Sequence, residues 1–263
     1  MPLADALLEL HDLTRRLRRE CPWDREQTPR TIVPYTVEEA YEVADAALAG
    51  DDEALRGELG DLLFQVLFLA LLLEERGRGS LEEIARETQA KLVRRHPHVF
   101  GGAEAASPGA VRRRWEEIKS AEDGREGLFH HLPEALPALL YARKAQRRAA
   151  AAGYDWPDAQ GPLEKLAEEL AELRAAVAEA GEPRPETEPD ERVAHEVGDL
   201  LFSAVNAARR LNVDPELALR EATRRFVRRV ERAAELAAGE GADWRALDLE
   251  AQDRYYERAK RRA

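Results

Sequence analysis

The heptapeptide ELGDLLF at residues 58–64 returns as EVGDLLF at 196–202. A repeat constrains a chain more than any single predicted element, because both copies must adopt one architecture. The match extends on either side. VEEAYEV (37–43) aligns with AEELAEL (167–173), placing Glu38, Glu39 and Glu42 on Glu168, Glu169 and Glu172. SLEEIARETQAKLVRR (80–95) aligns with DPELALREATRRFVRR (214–229), and WEEIK (115–119) with YERAK (256–260). Four segments in the same order indicate duplication, with domains expected at 1–125 and 126–263. The 263 residues are enough for two cores of ordinary size.

Between Pro and Gly clusters nearly every segment carries helical periodicity, and no run of alternating β-branched residues reads as a strand. The expected fold class is all-α. The Pro/Glu-rich stretch at 180–190 reads as a mobile loop. The apolar run LLFQVLFLALLL (62–73) is too short to span a bilayer and reads as a buried helix. The opening MPLADALLELHDLTRRLRRE mixes apolar and charged residues at helical spacing and lacks the features of a signal peptide. With Cys21 as the sole cysteine, no intramolecular disulfide can form. A cytoplasmic location is expected. A net charge of −12 argues against a nucleic-acid backbone or an anionic membrane as partner.

Residues three apart share a helix face, so Glu39 with Glu42, Glu58 with Asp61, Glu169 with Glu172, and Glu196 with Asp199 each form a carboxylate pair. The short link AGDD (49–52) makes the first two helices antiparallel neighbours, and four acids then converge. Acids at this spacing are more often a solvated face. Three details point elsewhere: a mid-helix Asp directly before LLF where burial is expected to begin, a helix-weakening Gly60 or Gly198 beside it, and the recurrence of both. Those glycines suggest close approach of another helix or a ligand. Converging like charges either take up protons or bind a cation, and an all-oxygen set favours Mg²⁺ or Mn²⁺. A di-iron bundle is disfavoured, because none of the six histidines has Glu three residues before it. Lys91, Arg94 and Arg95, matched by Arg225, Arg228 and Arg229, supply the positive charge that an anionic substrate requires. Trp23 and Trp156 read as hydrophobic anchors, with base contact as the alternative. His96 and His98 read as loop or cap residues, and His195 is not expected to belong to the acid set.

The acids in this order, together with CPWDREQT (21–28), RRHPHVFG (94–101) and AGYDWP (152–157), resemble the tandem-domain MazG nucleoside triphosphate pyrophosphohydrolases over nearly the whole chain. The resemblance implies a homodimer whose helical bundles are completed by the partner, Mg²⁺, and hydrolysis of nucleoside triphosphates, ATP among them, to monophosphate and pyrophosphate. It implies metal ligation by Glu169, Glu172, Glu196 and Asp199, with Glu39, Glu42, Glu58 and Asp61 as their N-terminal equivalents. It assigns Lys165, Glu168, Arg225, Arg228, Arg229 and Tyr256 to the nucleotide, with Lys91, Arg94, Arg95 and Trp115 corresponding in the first half. Glu168 and Glu172 are the expected catalytic acids. Three positions depart from the pattern: Pro29, Arg225 and Tyr256 stand where the family usually has His, Lys and Trp. The remaining alternative is a non-enzymatic helical protein that binds nucleotide or a partner and holds Mg²⁺ without turnover.

Overall fold

In the computed structural model, residues 2–102, 107, 109–111, 114, 115, 118, 122, 127–129, 132, 133, 135–181 and 188–261 are described. Regular structure among them is entirely helical. The chain divides into two units, 1–122 and 123–263. The boundary expected at 125/126 and most of the loop expected at 180–190 lie outside the described residues.

The first unit contains α1 (Pro2–Glu20), α2 (Pro22–Glu26), α3 (Pro29–Ala49), α4 (Asp52–Glu75), α5 (Leu81–Arg95) and α6 (Pro97–Phe100). Pro29 occupies the first turn of α3, where a missing N–H costs nothing, and Thr28 and Thr31 form a reciprocal capping box around it. Gly50, at φ 69°, ends α3 in the left-handed conformation. Asp51 then caps α4 through the amides of Glu53 and Ala54. This tight link folds α3 and α4 into a hairpin. Ile32 on α3 packs with Phe68 and Leu72 on α4, while Phe64 and Leu69 flank them. Complete burial of Phe68 contributes about 1.5–3 kcal/mol. Helix α1 is tied across α4 by the Arg15 guanidinium, whose Nη2 lies 2.7 Å from both Glu74 oxygens, and by Arg18 on Glu75.

The second unit contains α7 (Ala138–Ala151), α8 (Gln160–Ala180), α9 (Glu191–Arg210), α10 (Pro215–Gly239), a 3-10 turn (Trp244–Ala246) and α11 (Leu249–Lys260). Helices α8 and α9 form the counterpart of the α3–α4 hairpin. The caps follow the repeat: Asp190 accepts from the amides of Arg192 and Val193 as Asp51 does from its own, and Asp214 caps α10 as Ser80 caps α5. Arg143 on α7 holds the Asp214 carboxylate. The closest packing uses small residues, with Ala176, Ala207, Ala233, Ala237 and Ala259 buried alongside Val205.

Two expectations change. Burial does not begin uniformly at LLF: Leu63, Leu201 and Phe202 are exposed, the last two by about half, because each hairpin covers only one side of its own helices. The run 62–73 is accordingly buried on one side, at Leu67, Phe68, Leu71 and Leu72, with Val66 exposed opposite. Nor is there a close approach at Gly60 or Gly198 within the chain; a Cβ added at either would meet nothing within 4 Å. No described helix is long and apolar enough to cross a membrane.

Candidate active site

Antiparallel pairing of α8 and α9 brings the second-half acids together. Ligand atoms of Glu169, Glu172 and Glu196 lie within 4.8 Å of one another, and those of His195, Glu196 and Asp199 form an overlapping group of the same dimension. Glu169 is 5% exposed. The Glu172 carboxyl is pushed above its ordinary range by desolvation and then by Glu169, with Lys165 opposing and Glu196 and Glu168 adding to the rise. Like charges are held together here at an electrostatic cost that a cation would relieve.

The first half repeats the arrangement. Glu39, Glu58 and Asp61 offer oxygens within 4.8 Å of one another. Glu39 is raised by desolvation, then by Asp61, Glu42, Glu58 and Glu38. Glu58 is raised by desolvation, then by Glu42 and Asp61. Six of the eight expected acids thus fall in the two carboxylate triads; Asp199 joins Glu196 in the group with His195, and Glu42 stands outside these groups but adds to the rise of Glu39 and Glu58. His195 was not expected among them, yet its Nδ1 stands 3.1 Å from an Asp199 oxygen. The i,i+4 spacing of the pair is the signal in the sequence that could have placed it.

The basic residues occupy more varied positions. Lys165 Nζ lies 3.0 Å from Glu168 Oε1 and 2.7 Å from Glu169 Oε1, and these contacts raise its pKa. A lysine one turn before the acids therefore sits at the edge of their cluster. Arg225 and Arg228 both reach Glu221 on their own helix α10. Tyr256 on α11 packs against Phe226, the ring centroids 6.0 Å apart. The groups that perturb Glu172 do not include this arginine cluster. In the first half, Arg94 and Arg95 both grip Glu122, at 3.1 and 2.6 Å. Arg95 also lies over the Trp115 ring, against whose edge His96 packs. His96 ends α5, as a cap residue should. Lys91 is exposed on the same helix. The Glu122 contact had no counterpart in any sequence pattern, because 27 residues or more separate the partners.

The second unit holds a further feature. A cavity of about 480 Å³ is lined by Ala145, Gln146 and Ala149 of α7, by Tyr154, Asp155 and Trp156, and by Phe202, Asn206 and Arg209 of α9, with Phe129 at its edge. Trp23 in the first unit is half exposed and meets Tyr35 edge-on.

Two acid-bearing helical hairpins in tandem define a duplicated all-α protein with a carboxylate cluster in each half, and comparison with known families supplies its class. Residues 27–100 match the MazG nucleotide pyrophosphohydrolase domain, and residues 140–226 match phosphoribosyl-ATP pyrophosphohydrolase. The nucleoside triphosphate pyrophosphohydrolase/pyrophosphatase MazG of Thermotoga maritima is 43% identical over 256 residues, covering 96% of this chain and 94% of that one. The nucleoside triphosphate pyrophosphohydrolase of Escherichia coli K12 is 40% identical over 260 residues, covering 98% and 97%. The chain belongs to the MazG family.

Proposed function

We propose that this protein hydrolyses nucleoside triphosphates to monophosphate and pyrophosphate at the second-half acids, with Mg²⁺, or Mn²⁺, as the resident cation. The observation that carries this reading is the convergence of Glu169, Glu172 and Glu196 from two helices onto one point. All four expected ligands, Asp199 included, are hard oxygen donors, which suits a hard cation. The names of the two relatives supply the reaction class.

When bound, the cation would neutralise phosphate charge and acidify a coordinated water. The side chains provide the rest. Glu168, exposed and tethered by Lys165, orients the attacking water and accepts its proton. The water oxygen bonds to the α-phosphorus as the bond from that phosphorus to the α,β-bridging oxygen breaks. The bridging oxygen departs with pyrophosphate. Arg225 and Arg228 exchange their Glu221 contacts for phosphate oxygens, Arg229 adds a third guanidinium, and Tyr256 completes the grip beside them.

The protein acts as a homodimer in the cytoplasm, on free nucleotides rather than nucleic acid or membrane. Support for a dimer comes from stripes left uncovered on the acid-bearing helices: Leu59, Leu63 and Val66 on α4, Val197 and Leu201 on α9. Apolar stripes of this kind call for a partner surface. A second copy would also bring groups toward Gly60 and Gly198, where the single chain leaves space.

The decisive experiment measures Mg²⁺-dependent pyrophosphate and phosphate release from a panel of triphosphates for wild type, Glu42→Gln and Glu172→Gln. Loss of pyrophosphate release only in Glu172→Gln supports the second-half site; loss only in Glu42→Gln moves the chemistry to the first half. Release of phosphate alone, or no release from any triphosphate, overturns the reading. In ¹⁸O-labelled water the label must appear in the monophosphate.

A further inference from the structure

The two copies of the repeat differ at a position that touches the acids. Aligning EVGDLLF on ELGDLLF places His195 opposite Gly57, so an imidazole precedes the Glu-x-x-Asp pair in the second half and no side chain precedes it in the first. His195 lies one turn before Asp199 on α9 and shares its face. Ligand atoms of His195, Glu196 and Asp199 fall within 4.8 Å of one another, and Glu196 belongs also to the group formed with Glu169 and Glu172. The imidazole thus extends the carboxylate cluster at its solvent edge. An exposed pair at i,i+4 spacing adds little to a helix, and the His195 side chain is 75% exposed, so the fold does not depend on it.

The spacing suits a chelate. Two ligands bound side by side on one first-row ion, each about 2.0–2.2 Å from it, lie about 3 Å apart. His195 Nδ1 and Asp199 Oδ2 are 3.1 Å apart. Residues four apart on one helix face are the arrangement by which a helix presents a pair of metal ligands. Donor chemistry then decides which ion is held. Mg²⁺ keeps to oxygen ligands and water, whereas an imidazole nitrogen beside carboxylates suits Co²⁺, Ni²⁺ and Zn²⁺. In the first half the grouped donors, Glu39, Glu58 and Asp61, are all oxygen, and Gly57 has no ligand to add.

We infer that His195, Glu196 and Asp199 form a transition-metal position at the rim of the second-half acids, selective for Zn²⁺, Co²⁺ or Ni²⁺ over Mg²⁺, and that the first half lacks one because Gly57 replaces the imidazole. The inference rests on the reading of these acids as a cation site and is independent of turnover. Glu196 is common to both second-half groups, so an ion at the rim shares a ligand with the neighbouring all-oxygen position.

The test uses the intact, nucleotide-free protein and the metals alone. Zn²⁺ and Mg²⁺ are titrated by calorimetry, and the imidazole nitrogens are followed by ¹⁵N NMR, in wild type, His195→Ala and Gly57→His after their melting transitions are recorded. A Cβ at Gly57 meets nothing within 4 Å, so the grafted side chain displaces no neighbour. Histidines elsewhere are common to all three proteins, and differences between them report on these two positions. Zn²⁺ should shift one imidazole signal that is missing from His195→Ala. That variant should bind Zn²⁺ at least about tenfold more weakly, the minimum already seen when a group that merely supports a ligand is removed. Its Mg²⁺ affinity should not change. Gly57→His should give the first half a Zn²⁺ site, and its absence would overturn the claim that one imidazole sets the difference between the halves. Unchanged Zn²⁺ affinity in folded His195→Ala overturns the inference, as does an equal loss for Zn²⁺ and Mg²⁺. Zn²⁺ binding through His195 without pyrophosphate release from any triphosphate would remove the hydrolytic reading and leave the metal position standing; Mg²⁺-dependent release with no effect of His195 on Zn²⁺ would do the reverse.

Discussion

Lys165 and Glu169 lie one turn apart on α8 with 2.7 Å between Nζ and Oε1, so an internal ammonium borders the carboxylates that are proposed to receive a metal. A cation entering the cluster competes with this lysine for Glu169. Lys165→Met removes the competitor and also a phosphate-facing charge. The expected result is Mg²⁺ affinity of the nucleotide-free protein that is maintained or raised, combined with pyrophosphate release lowered by at least tenfold. Isothermal titration with Mg²⁺ and steady-state kinetics check the two halves of that statement.

The raised carboxyls set a pH dependence of known sign. Glu172 in the folded protein keeps its proton above the ordinary value of 4.5, as do Glu39 and Glu58. Between the unfolded and folded values the native state binds more protons, so stability falls as pH rises through that window and the loss persists at neutral pH. In metal-free protein, Glu172→Gln should therefore raise the melting temperature at pH 7 and change it little at pH 4. Adding Mg²⁺ should stabilise wild type at pH 7 more than the variant, with release of protons on binding. An equal effect of the substitution at both pH values would contradict the like-charge account.

Each half brings its own acids together, so each chain is predicted to bind cations at two places. Calorimetry should find about two Mg²⁺-class sites per chain, and Glu42→Gln and Glu172→Gln should each remove one. A single site abolished by Glu172→Gln would mean that the first-half acids are retained for another reason.

The two kinds of glycine should respond in opposite directions. Gly161→Ala forces the Trp156 ring aside and should cost about 1–3 kcal/mol, read from the denaturant midpoint. Gly198→Ala meets no atom in the chain and should gain up to about 1 kcal/mol from helix propensity. Pyrophosphate release should nevertheless fall if the open space beside Asp199 receives a substrate or second protomer, as proposed. A gain in stability with full activity would show that the space is unused.

Asp155 joins the segment after α7 to α9 through Arg209 and Arg210. Burial works to raise its pKa, but hydrogen bonding and charge from Arg209 and Arg210, with the Trp156 amide, carry it below the ordinary value. Its contribution to stability is present above the unfolded carboxylate value and is lost as pH falls through the lowered folded one. Asp155→Ala should destabilise by about 1–3 kcal/mol at neutral pH, because two poorly exposed guanidinium groups lose their partner.

The sequence by itself determined the helices, their duplication and the pairing of carboxylates on shared helix faces. Periodicity, caps such as Asp51 and Asp190, and the i,i+3 spacing of Glu169 with Glu172 are local properties, and local geometry places such residues on one face before any tertiary contact forms. The short link at Gly50 even carried the pairing of α3 with α4. The tertiary structure alone decided what depends on distant partners. It set Glu122 on Arg94 and Arg95, and oriented Gln146 through a carbonyl 56 residues away. It left Leu201 and Phe202 exposed at a motif that reads as the start of a core. Contacts of this kind follow from how helices pack rather than from which residues neighbour one another along the chain. An apolar run has no marker for whether its own chain or another surface will cover it.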